Sequence, residues 1–211
     1  MKKGLVMTGG SKPSQALLDR EIEWADAIIC ADSGFDMLGG NTEKLDLVIG
    51  DFDSTRRTDM LDRLNVPIEA LSPQKDETDT EMAMLRMLEK NPSQIHILGA
   101  TGSRLDHSLA TVLSLESYLD RDVEITLIDD HNELRIVDSG RYVVHDSGFK
   151  YFSLIPLTDS IEVSTKGMAY EIDHAILYRK KTRGVSNEIV DEEATVYIHE
   201  GRAMMIKSKD A

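Results

Sequence analysis

The sequence predicts two folding units of different class: a parallel-sheet α/β domain over residues 1–130, then an all-β sandwich domain over residues 131–211. Three observations carry this. Up to about residue 130, short apolar runs alternate with longer helix-like stretches, the pattern of strands joined by helical crossovers. Beyond it the apolar runs shorten and turn residues crowd together. In the run "LDLVIG" (residues 45–50) three consecutive apolar residues, Leu47, Val48 and Ile49, are closed by Gly50, as in a strand buried on both faces.

In chain order, "KGLVMT" reads as the first strand and "SKPSQALLDREIEWA" as the first helix. "DAIICA" and "LDLVIG" are the next strands, and "RRTDMLDRLN" (56–65) and "DTEMAMLRMLEKN" (79–91) the next helices. "QIHILG", "RLDHSLATVLSLESYL" and "VEITLID" complete the alternation as strand, helix and strand. In the second unit, two "DSG" triplets, Asp138–Gly140 and Asp146–Gly148, read as turns between antiparallel strands. In the tail "ATVYIHEGRAMMIKSKD", Glu200-Gly201 reads as a hairpin turn. No internal repeat or low-complexity segment interrupts the pattern.

Composition bounds the function. The 211 residues are 41% hydrophobic and 29% charged, an ordinary globular balance. With 24 Lys and Arg against 38 Asp and Glu, the net charge is −14. A field of that sign repels phosphate backbones, so no nucleic-acid partner is expected. Nucleotides remain compatible where a divalent metal and a few local cations carry the phosphates. The start "MKKGLVMTGG" has too short an apolar run for a signal peptide, and no stretch approaches the roughly 20 apolar residues of a membrane helix. Cys30 is the only cysteine, which excludes an intrachain disulfide and fits a cytoplasmic location.

Four stretches at or near predicted strand ends carry the chemistry. "ADSGFDML" supplies Asp32 and Ser33, and "VIGDFDS" supplies Asp51 and Asp53. "QKDETDTEMAM" supplies Lys75, Asp76, Thr78 and Asp79, with the two aspartates three apart at a helix start and so on one face. "GATGSRLDHS" supplies a glycine loop, Thr101 and Gly102, then Arg104, Asp106 and His107. Each alone has a structural reading: Asp32 and Asp76 as helix N-caps, Asp51 and Asp53 as turn residues. "GATGSRLDH" lacks the Lys-Ser/Thr ending of a P-loop. Together they place Asp51, Asp53, Asp76, Asp79 and Asp106 on one sheet edge if the strands are neighbours. Two unit charges at about 4 Å repel by roughly 4 kcal/mol at an effective dielectric near 20. A cation relieves that repulsion, and all-oxygen ligands favour Mg²⁺ shared with substrate phosphates. Lys75 and Arg104 are then the local cations for phosphate.

The ordered set "ADSGFDML", "VIGDFDS", "KDETDTEMA" and "GATGSRLDHSLA" resembles the successive motifs of the thiamine pyrophosphokinase family, and the β-rich second half resembles that family's C-terminal domain. The resemblance spans about Gly4 to Met205. It implies a nucleotide-binding, Rossmann-like α/β domain and a thiamine-binding β-sandwich. It also implies transfer of a diphosphate from ATP to the hydroxyl of thiamine, giving thiamine diphosphate and AMP. Homodimers with composite sites are implied too, one subunit's α/β domain meeting the other's β-domain.

Residue by residue, the resemblance implies metal binding by Asp51, Asp53 and Asp76, with Asp79 and Thr78 completing the acidic wall and Thr78 on the substrate side. It gives Thr101, Gly102, Arg104, Asp106 and His107 to the nucleotide segment, with Asp32, Ser33 and Lys75 beside them. Asp79 and Asp106 are both candidates for the base. In "RGVSNE", Ser186 and Asn187 match the polar loop that contacts thiamine; apart from the resemblance they read as a surface turn. The only tryptophan, Trp24, falls in the first predicted helix and reads as core, which leaves Tyr170 to stack on the thiamine ring. Two other classes use the same residues: a metal-dependent phosphohydrolase with water as nucleophile, and a non-catalytic thiamine or nucleotide sensor.

Overall fold

A computed structural model describes residues 2–52, 66–72, 74 and 76–211. The chain divides into two compact units, Met1–Asp130 and His131–Ala211. The helix expected over 56–65, together with Asp53 and Lys75, lies outside the described residues.

In the first unit six parallel strands, β1 (Lys3–Met7), β2 (Ala27–Ala31), β3 (Leu45–Gly50), β4 (Ile68–Ala70), β5 (Gln94–Leu98) and β6 (Glu124–Ile128), run in the order β4-β3-β2-β1-β5-β6. Three described helices connect or follow them: α1 (Gln15–Trp24), α2 (Asp79–Leu88) and α3 (Leu105–Ser114). In β1 and β2 every residue after the first is buried, so both faces of the central strands are covered. Leu5, Met7, Ile28, Cys30 and Val48 from the sheet pack with Leu17 and Leu18 of α1 and with Phe35 and Leu38. Each such side chain contributes about 1.5–3 kcal/mol through burial. Cys30 is wholly buried, and desolvation pushes its thiol pKa up. Strand β4, only three residues long, is an addition to the elements predicted from sequence.

Local chemistry sets the helix ends. The Ser14 hydroxyl accepts from Leu17 N–H at 3.3 Å and caps the start of α1. At the other end the Lys44 ammonium donates to the carbonyls of Ile22, Glu23 and Ala25 at 2.9, 2.8 and 2.7 Å. One cation thus satisfies three terminal acceptors and meets the negative end of the helix dipole. Helix α2 begins with a capping box: Glu81 N–H donates to Thr78 Oγ1 at 3.2 Å, and Thr78 N–H to Glu81 Oε2 at 2.8 Å. Thr78 is therefore the cap and Asp79 the first helical residue. Asp76 precedes the helix, so the expected pairing of Asp76 and Asp79 on one helical face does not hold. Asp32 is no N-cap either; the cap position falls on Ala31, and Asp32 opens a 3₁₀ segment, Asp32–Leu38, with a positive φ of 48°.

The second unit is a β-sandwich. One sheet has the order β7-β13-β9 and the other β11-β10-β12-β8, all antiparallel. The strands are β7 (Asn132–Val137), β8 (Gly140–His145), β9 (Tyr151–Pro156), β10 (Ser160–Lys166), β11 (Ala175–Tyr178), β12 (Glu193–Glu200) and β13 (Ala203–Ser208). Phe152, Leu154 and Met205 of one sheet meet Val163, Leu177 and Val196 of the other in a shared core. Both DSG turns and Glu200-Gly201 differ from expectation. None closes a hairpin; each carries the chain from one sheet to the other. A turn motif specifies a local reversal, whereas burial of alternate residues on two facing sheets decides the strand's partner. No described helix is long and apolar enough to cross a membrane.

One buried charge in the first unit has a complete account. Glu21, on the inner face of α1, is only 3% exposed, yet its carboxylate accepts from His96 Nδ1 at 2.6 Å and from Arg20 Nε at 2.9 Å. The His96 ring in turn stacks on Trp24 at 3.6 Å, which gives the tryptophan its packing role. Burial pushes the Glu21 carboxyl pKa upward, but the bonds and charges of His96 and Arg20 outweigh it and hold the pKa below the ordinary value of 4.5. A folded-state pKa below the unfolded one gives stability that is full above the unfolded value and lost as pH falls through the folded one. The melting-temperature advantage of wild type over Glu21→Gln should therefore be largest near neutral pH and shrink below about pH 4.5. A difference that stays constant from neutral pH to pH 3 would remove this linkage.

Candidate active site

The order β4-β3-β2-β1-β5-β6 reverses direction at β1, because the chain builds outward to β4 and then returns to β5 on the other side of β1. Loops leaving β1 and β5 at such a point separate to opposite faces and open a crevice at the strands' C-terminal ends. Here their first residues are laced together. Thr8 N–H donates to Leu98 O at 2.9 Å and Thr8 Oγ1 to Gly99 O at 2.6 Å. Gly10 N–H reaches Gly99 O at 2.7 Å, and Ser11 N–H reaches Thr101 O at 2.7 Å. Two glycines permit this approach. A Cβ on Gly10 would sit 2.1 Å from Gly99 O; Gly99 has φ +72°, and a Cβ there would lie 2.3 Å from Thr8 O.

Two aspartates after β6 anchor the same loops. Asp129 accepts from Thr101 Oγ1 at 2.9 Å, and Asp130 takes both the backbone N–H (2.7 Å) and the hydroxyl of Ser14. Above the laced strand ends lies a cleft of about 640 Å³.

Most of the residues singled out from sequence converge on this cleft. Asp32 and Ser33 reach it from the end of β2, and Asp51 from the end of β3. Thr78 and Asp79 come from the start of α2, and Thr101, Gly102, Arg104 and His107 from the segment joining β5 to α3. Asp76 and Asp106 are exposed and outside its lining, and Asp53 and Lys75 are outside the described residues. Sequence reasoning missed the wall made by Thr8, Gly9, Gly10 and Ser11, and also Glu77, Ser108 and Thr111. The signal for the first group was present: "TGGS" directly follows the apolar run of β1, at a strand end where a helix is about to begin.

The carboxylates of Asp32, Asp51, Glu77 and Asp79 give the cleft an all-oxygen donor set, the chemistry of a hard cation. Among the described residues no three acidic, histidine or cysteine side chains gather closely enough to hold a metal by themselves. Among the described lining residues Arg104 carries a guanidinium and His107 an imidazole. The Arg104 guanidinium forks onto Asp106, Nη2 to Oδ2 at 2.6 Å and Nε to Oδ1 at 3.3 Å. That bond holds the Asp106 carboxyl pKa below its ordinary value and raises that of Arg104. Both side chains are 66% exposed, so salt screens the pair and the fork is open to exchange.

In the second unit, Ser186 has a positive φ of 61°, and its N–H donates to the buried Ser153 hydroxyl at 3.1 Å. Asn187 bonds Phe152 through backbone pairs at 2.7 and 2.8 Å. Its side-chain amide engages the main chain of Tyr170, a residue 72% exposed.

Comparison with known proteins places both units. The family model described as thiamin pyrophosphokinase, catalytic domain, matches residues 18–127, and that described as thiamin pyrophosphokinase, vitamin B1 binding domain, matches residues 141–203. A thiamine pyrophosphokinase of Bacillus subtilis is 30% identical over 165 residues, 76% of this chain and 77% of the relative. The crystal structure of thiamine pyrophosphokinase from Bacillus subtilis superposes with a TM-score of 0.88 at 28% identity, covering all of both chains. That of thiamin pyrophosphokinase from Geobacillus thermodenitrificans gives 0.87 at 30% identity over 100% of this chain and 99% of the other. With a catalytic-domain model on the unit that holds the cleft and a vitamin B1 binding model on the β-sandwich, this chain belongs to the thiamin pyrophosphokinase family.

Proposed function

We propose that the chain transfers the terminal diphosphate of ATP to the hydroxyl of thiamine, releasing thiamine diphosphate and AMP. The observation that carries the reading is the cleft at the β1/β5 reversal, where glycine loops from two strand ends meet carboxylates and one exchangeable arginine. Loops of this kind bring backbone N–H groups close to phosphate oxygens. The arginine fork supplies planar two-point recognition once it exchanges Asp106 for phosphate. The thiamine hydroxyl oxygen attacks the β-phosphorus, the bond from that phosphorus to the α–β bridging oxygen breaks, and AMP leaves with the bridging oxygen. The hydroxyl proton passes to a carboxylate. Asp79 is the better acceptor of the two candidates because it lines the cleft, whereas Asp106 lies outside it and is held anionic by Arg104. Mg²⁺ held by Asp51 with Asp53 would neutralise the phosphate charge; Asp76, outside the cleft lining, is a third ligand on the resemblance alone. Excess carboxylate also favours a cationic co-substrate, which the thiazolium ring is.

The reading extends to assembly and location. The chain forms a homodimer in which the α/β unit of one copy and the Tyr170–Ser186–Asn187 region of another build each site. Leu105, Leu109 and Leu113 form an exposed apolar row along α3, a surface that a second copy can cover. The lone buried cysteine suits a reducing cytoplasm.

Incubation with ATP, Mg²⁺ and thiamine should give AMP and thiamine diphosphate, with AMP strictly dependent on thiamine. Phosphate release without thiamine would identify a phosphohydrolase, and an absence of turnover a sensor. Asp51→Asn should leave the fold intact and reduce turnover by at least about 10²-fold, the scale of losing a group that stabilises transition-state charge. Normal activity of that variant at limiting Mg²⁺ would remove Asp51 from the metal site. At thiamine well below the wild-type KM, where chains altered at Ser186 and Asn187 turn over little, mixing them with inactive Asp51→Asn chains should restore roughly a quarter of wild-type activity, because half the dimers are mixed and each has one intact site. Subunit exchange, verified by mass, without any recovery would place each site within one chain.

A further inference from the structure

The Asn187 side chain has four hydrogen-bonding functions, two lone pairs on Oδ1 and two N–H groups on Nδ2. All four are occupied within the chain. Oδ1 accepts from Tyr170 N–H at 3.0 Å and from Glu188 N–H at 2.9 Å. Nδ2 donates to Tyr170 O at 2.9 Å and contacts Met168 Sδ at 3.4 Å. The amide orientation follows from these partners, since two N–H donors require the oxygen and a carbonyl requires the nitrogen. Asn187 thus reads both polar groups of a single peptide residue, as a neighbouring β-strand would.

The surrounding backbone reinforces this clamp. Ala169 N–H bonds Glu188 O at 2.9 Å, Val190 N–H bonds Gly167 O at 3.1 Å, and Phe152 pairs with Asn187 on the other side. The Tyr170 segment is therefore fixed against β9 through one residue. Yet the Tyr170 ring projects into solvent, and it has no hydrogen bond or ring contact among the described residues. A side chain pinned at its main chain and unengaged at its ring is pre-organised for something outside the chain.

We infer that Asn187 is a positioning residue: it holds the Tyr170 main chain so that the ring, not the Asn187 amide, meets the cationic heteroaromatic co-substrate. This rests on the thiamine reading above and divides the labour within it. An asparagine with no free donor or acceptor contacts a ligand only by breaking an existing bond, whereas an aromatic face attracts a cationic ring directly.

The test is a double-mutant cycle read through steady-state kinetics, with melting temperature as a control. Tyr170→Ala should raise KM for thiamine on the order of tenfold, the size of a lost ring–cation contact. The kcat and the KM for ATP should stay within about twofold of wild type. Tyr170→Phe keeps the ring and should retain wild-type KM. Asn187→Ala should raise KM for thiamine similarly, and the double variant should be no worse than Tyr170→Ala alone. Should Asn187→Ala fail to fold, Asn187→Asp, which keeps both accepted bonds and loses both donors, takes its place in the cycle. Multiplying effects, on the order of a hundredfold in the double variant, would show that Asn187 contacts the ligand itself and overturn the inference. So would an unchanged KM in Tyr170→Ala. A wild-type chain that does not turn over thiamine overturns the parent reading instead, and equilibrium binding of thiamine to the same chains then decides the role of Asn187.

Discussion

The lacing of the β1 and β5 loops is the constraint on which the first unit's chemistry depends. Two parallel strands side by side send their chains to opposite faces, and the crevice between them would widen without a tie. Thr8, Gly10 and Ser11 supply that tie through hydrogen bonds to the carbonyls of Leu98, Gly99 and Thr101. All but the Thr8 hydroxyl bond run from main chain to main chain, and they need a close approach of the two backbones that only glycine at positions 10 and 99 leaves room for. Asp129 and Asp130 then fix the far ends of both loops by binding Thr101 and Ser14. The floor of the cleft is therefore tied by hydrogen bonds on both sides, whereas Arg104 at its rim is 66% exposed.

The charge balance follows from that arrangement. A chain of net charge −14 whose cleft adds Asp32, Asp51, Glu77 and Asp79 is a poor site for a bare polyphosphate. The conflict resolves if a hard cation enters with the nucleotide and the second substrate is itself cationic. Arg104 paired with Asp106 fits the proposed reading, in which the exposed fork would exchange that carboxylate for phosphate. Excess acid in the cleft and an exposed aromatic ring on the β-sandwich both favour the same partner, a positively charged ring bearing a hydroxyl.

Several features were legible in the sequence because they are local. The strands β1, β2, β3, β5 and β6 announce themselves as apolar runs between turn residues. Strand β4 did not, because three residues with Ile68 half exposed carry no periodicity; its place comes from pairing with β3. The start of α2 was also legible in principle, since Thr78-Asp79-Thr80-Glu81 spells a capping box, and it assigns the cap to Thr78 rather than Asp76. The inter-sheet turns were not legible, because Asp-Ser-Gly encodes a reversal and says nothing about which strand lies next.

By itself the sequence determined the class of each unit, the family, and a part of the residues that line the cleft, Asp32, Asp51, Asp79 and Arg104 among them. These are written in composition, period and ordered motifs, which do not require knowing what touches what. Tertiary structure alone decided which carboxylates share the cleft, since Asp76 and Asp106 stand outside it while Asp32 and Glu77 join Asp51 and Asp79. It alone showed that "TGGS" is a wall of the site and that the Asn187 amide serves Tyr170. The physical reason is the same in each case. A residue's type fixes which bonds it is able to make, but strand order and chain crossing fix which partner arrives to make them.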